Sequence, residues 1–166
     1  MLLCALVDRR QRFIAALRPG FLAALLMLVI QFLLGMYVNL FVTIPTNHPG
    51  AKPPEYFSGV AQSVFWAITQ SGLIFLILHA AFGLVIVVGA AVLLVQGIQS
   101  RIRSLIITTS VGAFGVLVAA LNGGSFLNYN EDFSSMIMAA GFAVAMGSYV
   151  VGLYVAARSP SVSATQ

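Results

Sequence analysis

The chain has 166 residues, of which 60% are hydrophobic and only 7% charged, and its mean hydropathy is +1.02. Soluble domains carry about 25% charged residues, so this composition excludes a water-soluble globular domain. The net charge of +4 is a topology signal and not a nucleic-acid footprint, because the basic residues sit at the ends of apolar segments.

Residues 1–18 place Leu3, Leu6, Phe13, Ile14 and Leu17 around Asp8 and a group of arginines. This reads either as a short amphipathic helix at the cytoplasmic interface or as a frayed basic tail. After the Pro19-Gly20 break, a first span runs from about 21 to 44 and is closed by Pro45. About 20 apolar residues suffice to cross the hydrocarbon core, and backbone groups in lipid must be paired within the segment, so the span is a helix. The run is too long for a signal-peptide core and lacks a small-residue cleavage pattern, so it is expected to be retained.

Residues 45–69 form an outer cap. The stretch Thr46-Asn47-His48-Pro49-Gly50-Ala51-Lys52-Pro53-Pro54 cannot be a regular helix, because its prolines remove donors and constrain their neighbours. His48 is expected to be solvated there, with folding back over a pocket as the alternative. Beyond it, Phe57, Val60, Ala61, Val64, Phe65 and Ile68 recur at helical spacing. Glu55 to about Thr69 therefore reads as a helix lying at the outer interface, the alternative being one long helix continuous with the next span.

A second span lies within 70–97, and no Asp, Glu, Lys or Arg occurs between Phe57 and Ser100. It holds His79, the side chain in the apolar stretches that can be charged near neutral pH. A third span covers about 104–122 and a fourth about 134–157. The loop between them is rich in turn formers, and Asp132 or Ser134 is expected to cap the fourth span.

Arg9, Arg10, Arg12, Arg18, Arg101, Arg103 and Arg158 all fall on one side, leaving only Lys52 of the eight basic residues on the other, with Glu55, Glu131 and Asp132. The positive-inside rule then puts both termini in the cytoplasm of a bacterial-type plasma (inner) membrane. The lone Cys4 supplies neither a disulfide framework nor metal-site spacing, so any metal is unknown. The expected fold class is an all-α integral membrane protein, a single four-transmembrane-helix bundle with an outer interfacial helix.

The bundle also reads as two parallel hairpin repeats. Leu33-Leu34-Gly35 parallels Ala113-Phe114-Gly115, and His79-Ala80-Ala81 parallels Met138-Ala139-Ala140. Small residues four apart, at Gly115, Ala119 and Gly123 and again at Ala139, Ala143 and Gly147, are close-packing stripes that join helices or bind another subunit.

An ionisable group in hydrocarbon marks a functional site by default. Gly83, one turn from His79, leaves space beside the imidazole. Met138 is the counterpart in the repeat, though shallower in its span. Imidazole and thioether form a familiar axial pair for haem, and Gly35 and Gly115 on the facing helices would admit a flat macrocycle. His79, Met138, Gly35, Gly83 and Gly115 are therefore the candidate cofactor-binding residues. The competing readings are a hydrogen bond from His79 to Asn39, Thr108, Thr109 or Tyr37, and a substrate or proton path. Gln31, Asn39, Gln70 and the Thr108-Thr109-Ser110 run are modest signs of a transporter.

Gln31-Phe32-Leu33-Leu34-Gly35-Met36-Tyr37-Val38, a proline-bearing loop and Leu78-His79-Ala80-Ala81-Phe82-Gly83 resemble one four-helix half of the haem A synthases. The resemblance covers spans one and two. It implies a histidine on the second and on the fourth helix of each half, facing a haem. His79 matches the first, and Met138 stands where the second would be.

No phosphate-binding loop, nucleophile elbow or intramembrane carboxylate pair is present, so an enzyme is not favoured. The expected function is a small membrane binding protein or respiratory-type subunit with an outer-half pocket around His79. Its most concrete version is b-type haem binding for electron transfer. The alternatives are a cofactor-free accessory or assembly subunit of a larger membrane complex, and a carrier of small apolar solutes or lipid. The lipid bilayer is a partner in every case, and a homo-oligomer would supply a second His79.

Overall fold

The computed structural model describes residues 2–158, with side chains at Phe13 and from Ala15 onward. The C-terminal tail and most of the amphipathic N-terminal side chains lie outside the described residues. Five helices occur in the order α1 (Leu2–Phe41), α2 (Tyr56–Thr69), α3 (Ile74–Ser100), α4 (Arg103–Tyr129) and α5 (Asp132–Arg158). No strand occurs among the described residues. Four helices are long and apolar enough to cross a membrane: Ala15–Phe41 within α1, and all of α3, α4 and α5. Their outward faces carry large exposed apolar side chains, such as Leu33, Val88, Phe114 and Val150. A surface of that kind is matched to hydrocarbon, not to water. The chain is an all-α membrane bundle.

The long helices form a ring. α1 packs on α3 and α5, and α4 packs on α3 and α5, while among the described residues the backbones of α1 and α4, and of α3 and α5, lie diagonally across the ring. Successive long helices alternate in direction, so Phe21 of α1 and Gly152 of α5 lie toward the same end of the bundle, called terminal here. The opposite, distal end is covered by α2, which rests on α3 and α4.

Several boundaries differ from the sequence-based expectation for physical reasons. The expected break at Pro19-Gly20 is absent, and α1 runs through Pro19. A membrane helix tolerates such a residue where neighbours pack closely, and here Gly20 admits Leu93 of α3, whose Cδ2 would lie 2.7 Å from an added Cβ. At the other end α1 stops at Phe41, ahead of Pro45.

Helix α2 is separate from α3. Glu55 caps it by accepting hydrogen bonds from the N–H groups of Phe57 and Ser58. Residues 70–73 are not helical, and Gly72 takes a left-handed φ of +67°, a conformation that favours glycine.

The turn-forming sequence after 122 is mostly helix, because α4 continues to Tyr129. Asn122 folds its amide back onto the Val118 carbonyl at 2.9 Å. Val60 of α2 fills the space at Gly124, where an added Cβ would meet its Cγ1 at 2.5 Å. Tyr56 Oη lies 2.7 Å from Ser125 Oγ. Contacts with the cap thus override local turn preference. Only Asn130, left-handed at φ 53°, and Glu131 separate α4 from α5. Asp132 lies in the first turn of α5, and Ser134, the other expected cap, is buried inside that turn.

The core at the terminal end centres on Tyr149, Phe21, Leu17 and Leu105, each buried to 1% exposure or less. Phe21 and Tyr149 meet with ring centroids 5.9 Å apart. Glycines make this end tight: Gly112 lies under the Tyr149 ring and Gly152 under the Phe21 ring. A smaller distal cluster joins Val38, Trp66, Ala67, Leu76 and Leu127.

Candidate functional site

The close packing gives way at the distal half of the ring, leaving a cavity of about 480 Å³ lined by residues from all five helices. Most of the lining is aliphatic or aromatic. Gln31, Asn39, His79 and Ser135 are its polar members, and no Asp, Glu, Lys or Arg takes part.

His79 and Met138 both line this cavity, on helices that face each other across the ring. His79 lies five residues from the start of α3 (Ile74 to His79), and Met138 lies six from the start of α5 (Asp132 to Met138). At helical rise these are roughly 8 and 9 Å from the distal helix ends. The expected depth mismatch disappears because α3 begins at Ile74 and not at Gln70.

The glycines behave differently from the expectation of open space. Gly35 of α1 is covered by the imidazole itself, with His79 Cε1 2.8 Å from the position of an added Cβ. Gly83 of α3 is covered by the Gln31 carboxamide, with Nε2 3.0 Å from its Cβ position. That same Nε2 donates to the His79 carbonyl at 3.1 Å. In the antiparallel α1/α3 pair each helix thus offers a polar side chain and, four residues on, a glycine that receives the other's. Gln31-x-x-x-Gly35 clasps His79-x-x-x-Gly83, and the room at both glycines is taken.

Gly115 lies outside the cavity. An added Cβ would meet Gly141 O at 2.6 Å and Ala145 N at 2.8 Å, and Gly141 meets Gly115 O reciprocally at 2.7 Å. It is a backbone-to-backbone contact between α4 and α5. Gly123, one stripe position further, is the glycine that faces Met138, with Sδ 3.4 Å from its Cβ position. The two hairpins therefore differ in register, and the repeat does not extend to their contacts. The stripe at Ala139, Ala143 and Gly147 does not form this seam either. Ala139 lines the cavity, and Gly147 faces open space.

None of the named hydrogen-bond partners reaches the His79 ring. Thr108 and Thr109 donate to Leu105 O within α4. Asn39 Oδ1 takes Ser135 Oγ at 3.5 Å. Tyr37 packs tilted against Phe75 with centroids 3.9 Å apart. His79 Nδ1 and Gln31 Oε1 are both buried without a hydrogen-bond partner. Buried polar atoms are nearly always paired, so the clasp is polar chemistry left incomplete beside a cavity.

The sequence signal of the clasp is the four-residue spacing of Gln31 to Gly35, equal to that of His79 to Gly83. His48 is buried, not solvated, at 7% exposure. Its ring lies on Trp66 with centroids 4.2 Å apart and planes 13° from parallel. Trp66 gave no sign of this in sequence, because an aromatic in an amphipathic helix has many packing partners.

Among the described residues no group of three or more His, Cys, Asp or Glu could hold a metal ion. Comparison with protein-family models, curated proteins and solved structures finds no match for this chain.

Proposed function

We propose that this chain is a small integral-membrane binding protein that holds an apolar, uncharged ligand in the cavity beside His79. The observation that carries this reading is the cavity itself. At about 480 Å³ it falls within the roughly 300–1,000 Å³ range of small-molecule sites. Its lining is aliphatic and aromatic apart from four polar side chains and it is open on one side, so it offers apolar surface that a small molecule or lipid chain can cover. Absence of charged lining favours a neutral ligand, since an unpaired charge in such surroundings is costly. Access is lateral along the α1/α5 seam. There the exposed lining residues Met36 and Ala139 lie between the Phe32–Phe142 stack and the Asn39–Ser135 contact.

The second reading is b-type haem, favoured by His79 and Met138 lining one cavity from diagonal helices. An imidazole and a thioether are suitable iron ligands and would supply a redox centre for electron transfer. Against it, the space at Gly35 holds the His79 ring and that at Gly115 holds the α5 backbone, and no cation lines the cavity to meet the haem carboxylates. Charge asymmetry supports cytoplasmic termini in a bacterial-type plasma membrane under either reading.

Native mass spectrometry of the full-length protein from lipid nanodiscs, paired with a reduced-minus-oxidised absorption spectrum, tests both. A retained small molecule without a Soret band supports the first reading, and a Soret band with a sharp α band supports the second. Co-purification of protein partners with neither signal would identify an accessory subunit of a larger complex.

A further inference from the structure

We infer that His48 is a proton-binding site that latches the distal cap onto α4. Its Nδ1 lies 2.8 Å from Pro49 O, and its Nε2 lies 3.0 Å from Leu127 O. A carbonyl oxygen only accepts, and a neutral imidazole has one N–H to give. Both contacts are hydrogen bonds only when the ring carries a proton on each nitrogen. In the neutral ring, one nitrogen lone pair faces a carbonyl lone pair at hydrogen-bonding distance. The ring also lies flat on Trp66, whose indole face accommodates a cation. Burial of His48 to 7% exposure leaves little room for water to replace a lost bond.

Among the described residues no carboxylate lines the small distal pocket at the ring, so the two carbonyls and the indole face are what favour a proton there. Lys52 and Tyr129 share a small distal pocket with His48. They are its titratable neighbours from the cap loop and from α4, and Lys52 opposes the ring's positive charge. The α2 groups nearest the loop are Trp66 and the hydroxyl of Ser63, both uncharged. Glu55 is engaged at the N-terminus of α2.

The latch holds a segment that bears on the cavity. The same loop is tied down by Lys52 N–H donating to Asn128 O at 2.9 Å, and Ala51 N–H donates to His48 O at 3.0 Å. Ile44, Val64 and Leu127, at the edge and seat of the cap, line the cavity, so the cap closes its distal end. Loss of the proton removes one of the two His48 bonds. The cap is therefore held at acid pH and loosens as the ring is deprotonated. Only the consequence for the cavity rests on the binding reading above; the latch stands on its own geometry.

The test is a pH titration of full-length protein in nanodiscs across about pH 5 to 8, where imidazoles commonly titrate. Nitrogen NMR of labelled histidine is followed together with hydrogen exchange at the Ala51 and Lys52 amides. We expect both His48 nitrogens to be protonated at the acid end. The protection factors of the two amides should fall about tenfold as the ring loses its proton, the effect of one hydrogen bond on local opening. In His48→Gln, protection should be lower and independent of pH. A single N–H on His48 throughout, with the cap still protected, would overturn the latch, as would amide protection that ignores the ring's titration. The wild-type titration decides this even if the variant fails to fold. A pH-dependent cap on a protein that retains no small molecule at any pH would sink the binding reading alone.

Discussion

His79 stands on Gly35: its Cε1 lies 2.8 Å from where a Cβ at position 35 would be. The imidazole is thereby held against α1, and the glycine serves as its seat. The residue blocking a side chain at Gly35 is the end of a movable side chain and not backbone, which sets the expected phenotype. Gly35→Ala gains up to about 1 kcal/mol of helix propensity and displaces the imidazole toward the cavity. Net stability should stay within about 1 kcal/mol of wild type, while small-molecule retention by native mass spectrometry falls several-fold. Unchanged retention would show that the His79 position does not matter to the cavity.

Gly115 predicts the opposite pattern. Its neighbours are Gly141 O at 2.6 Å and Ala145 N at 2.8 Å, both backbone, so a methyl group must part α4 from α5. Gly115→Ala should destabilise the bundle by about 1–3 kcal/mol, read as an earlier transition in SDS or thermal unfolding. Gly147→Ala is the control within the same pair of helices. It has nothing within 4 Å and should be neutral or stabilising by up to about 1 kcal/mol. Equal effects at both positions would refute the α4/α5 seam described here.

These contrasts show what the sequence carries and what it does not. Four spans were legible because hydrocarbon imposes length and apolarity on every segment independently of its neighbours. The ring arrangement was not, since apolar helices present nearly uniform faces and the partner of each glycine depends on register. Gly35 and Gly115 occupy equivalent places in the sequence repeat, yet one seats an imidazole and the other a backbone. The burial of His48 is illegible for a related reason: proline-rich composition reports non-helical backbone and says nothing of burial. Its binding partners, Leu127 and Trp66, come from helices 79 and 18 residues away.

If the cavity is a binding site, filling it should trade ligand for protein atoms. Ala139 lines it and is exposed, so a larger side chain there has room. Ala139→Phe should displace the retained molecule and raise the stability of the ligand-free protein by about 1 kcal/mol through apolar burial. Delipidated protein, compared by thermal unfolding before and after adding back total membrane lipid, provides the measurement. Wild type should gain stability on addition and the variant should gain little. A variant less stable than wild type that still responds to lipid would count against a cavity at this place.

The distal cap turns on Asn128, which is 2% exposed. Its amide nitrogen donates to Ser63 Oγ at 2.7 Å and to Gly50 O at 3.2 Å, joining α4 to α2 and to the cap loop. Gly50 can approach so closely because it has no side chain and a left-handed φ of +88°. Asn128→Leu keeps the volume but strands these polar groups in a buried place. It should cost about 2–3 kcal/mol and expose the 45–54 loop to proteolysis, while the terminal-end core around Tyr149 is left intact. Ser63→Ala should cost about 1 kcal/mol by itself. Because the two side chains share one hydrogen bond, the double variant should lose less than the sum of the single losses, by at least about 0.5 kcal/mol. Strict additivity would mean that the amide does not bond Ser63, and the cap would then need another anchor on α4.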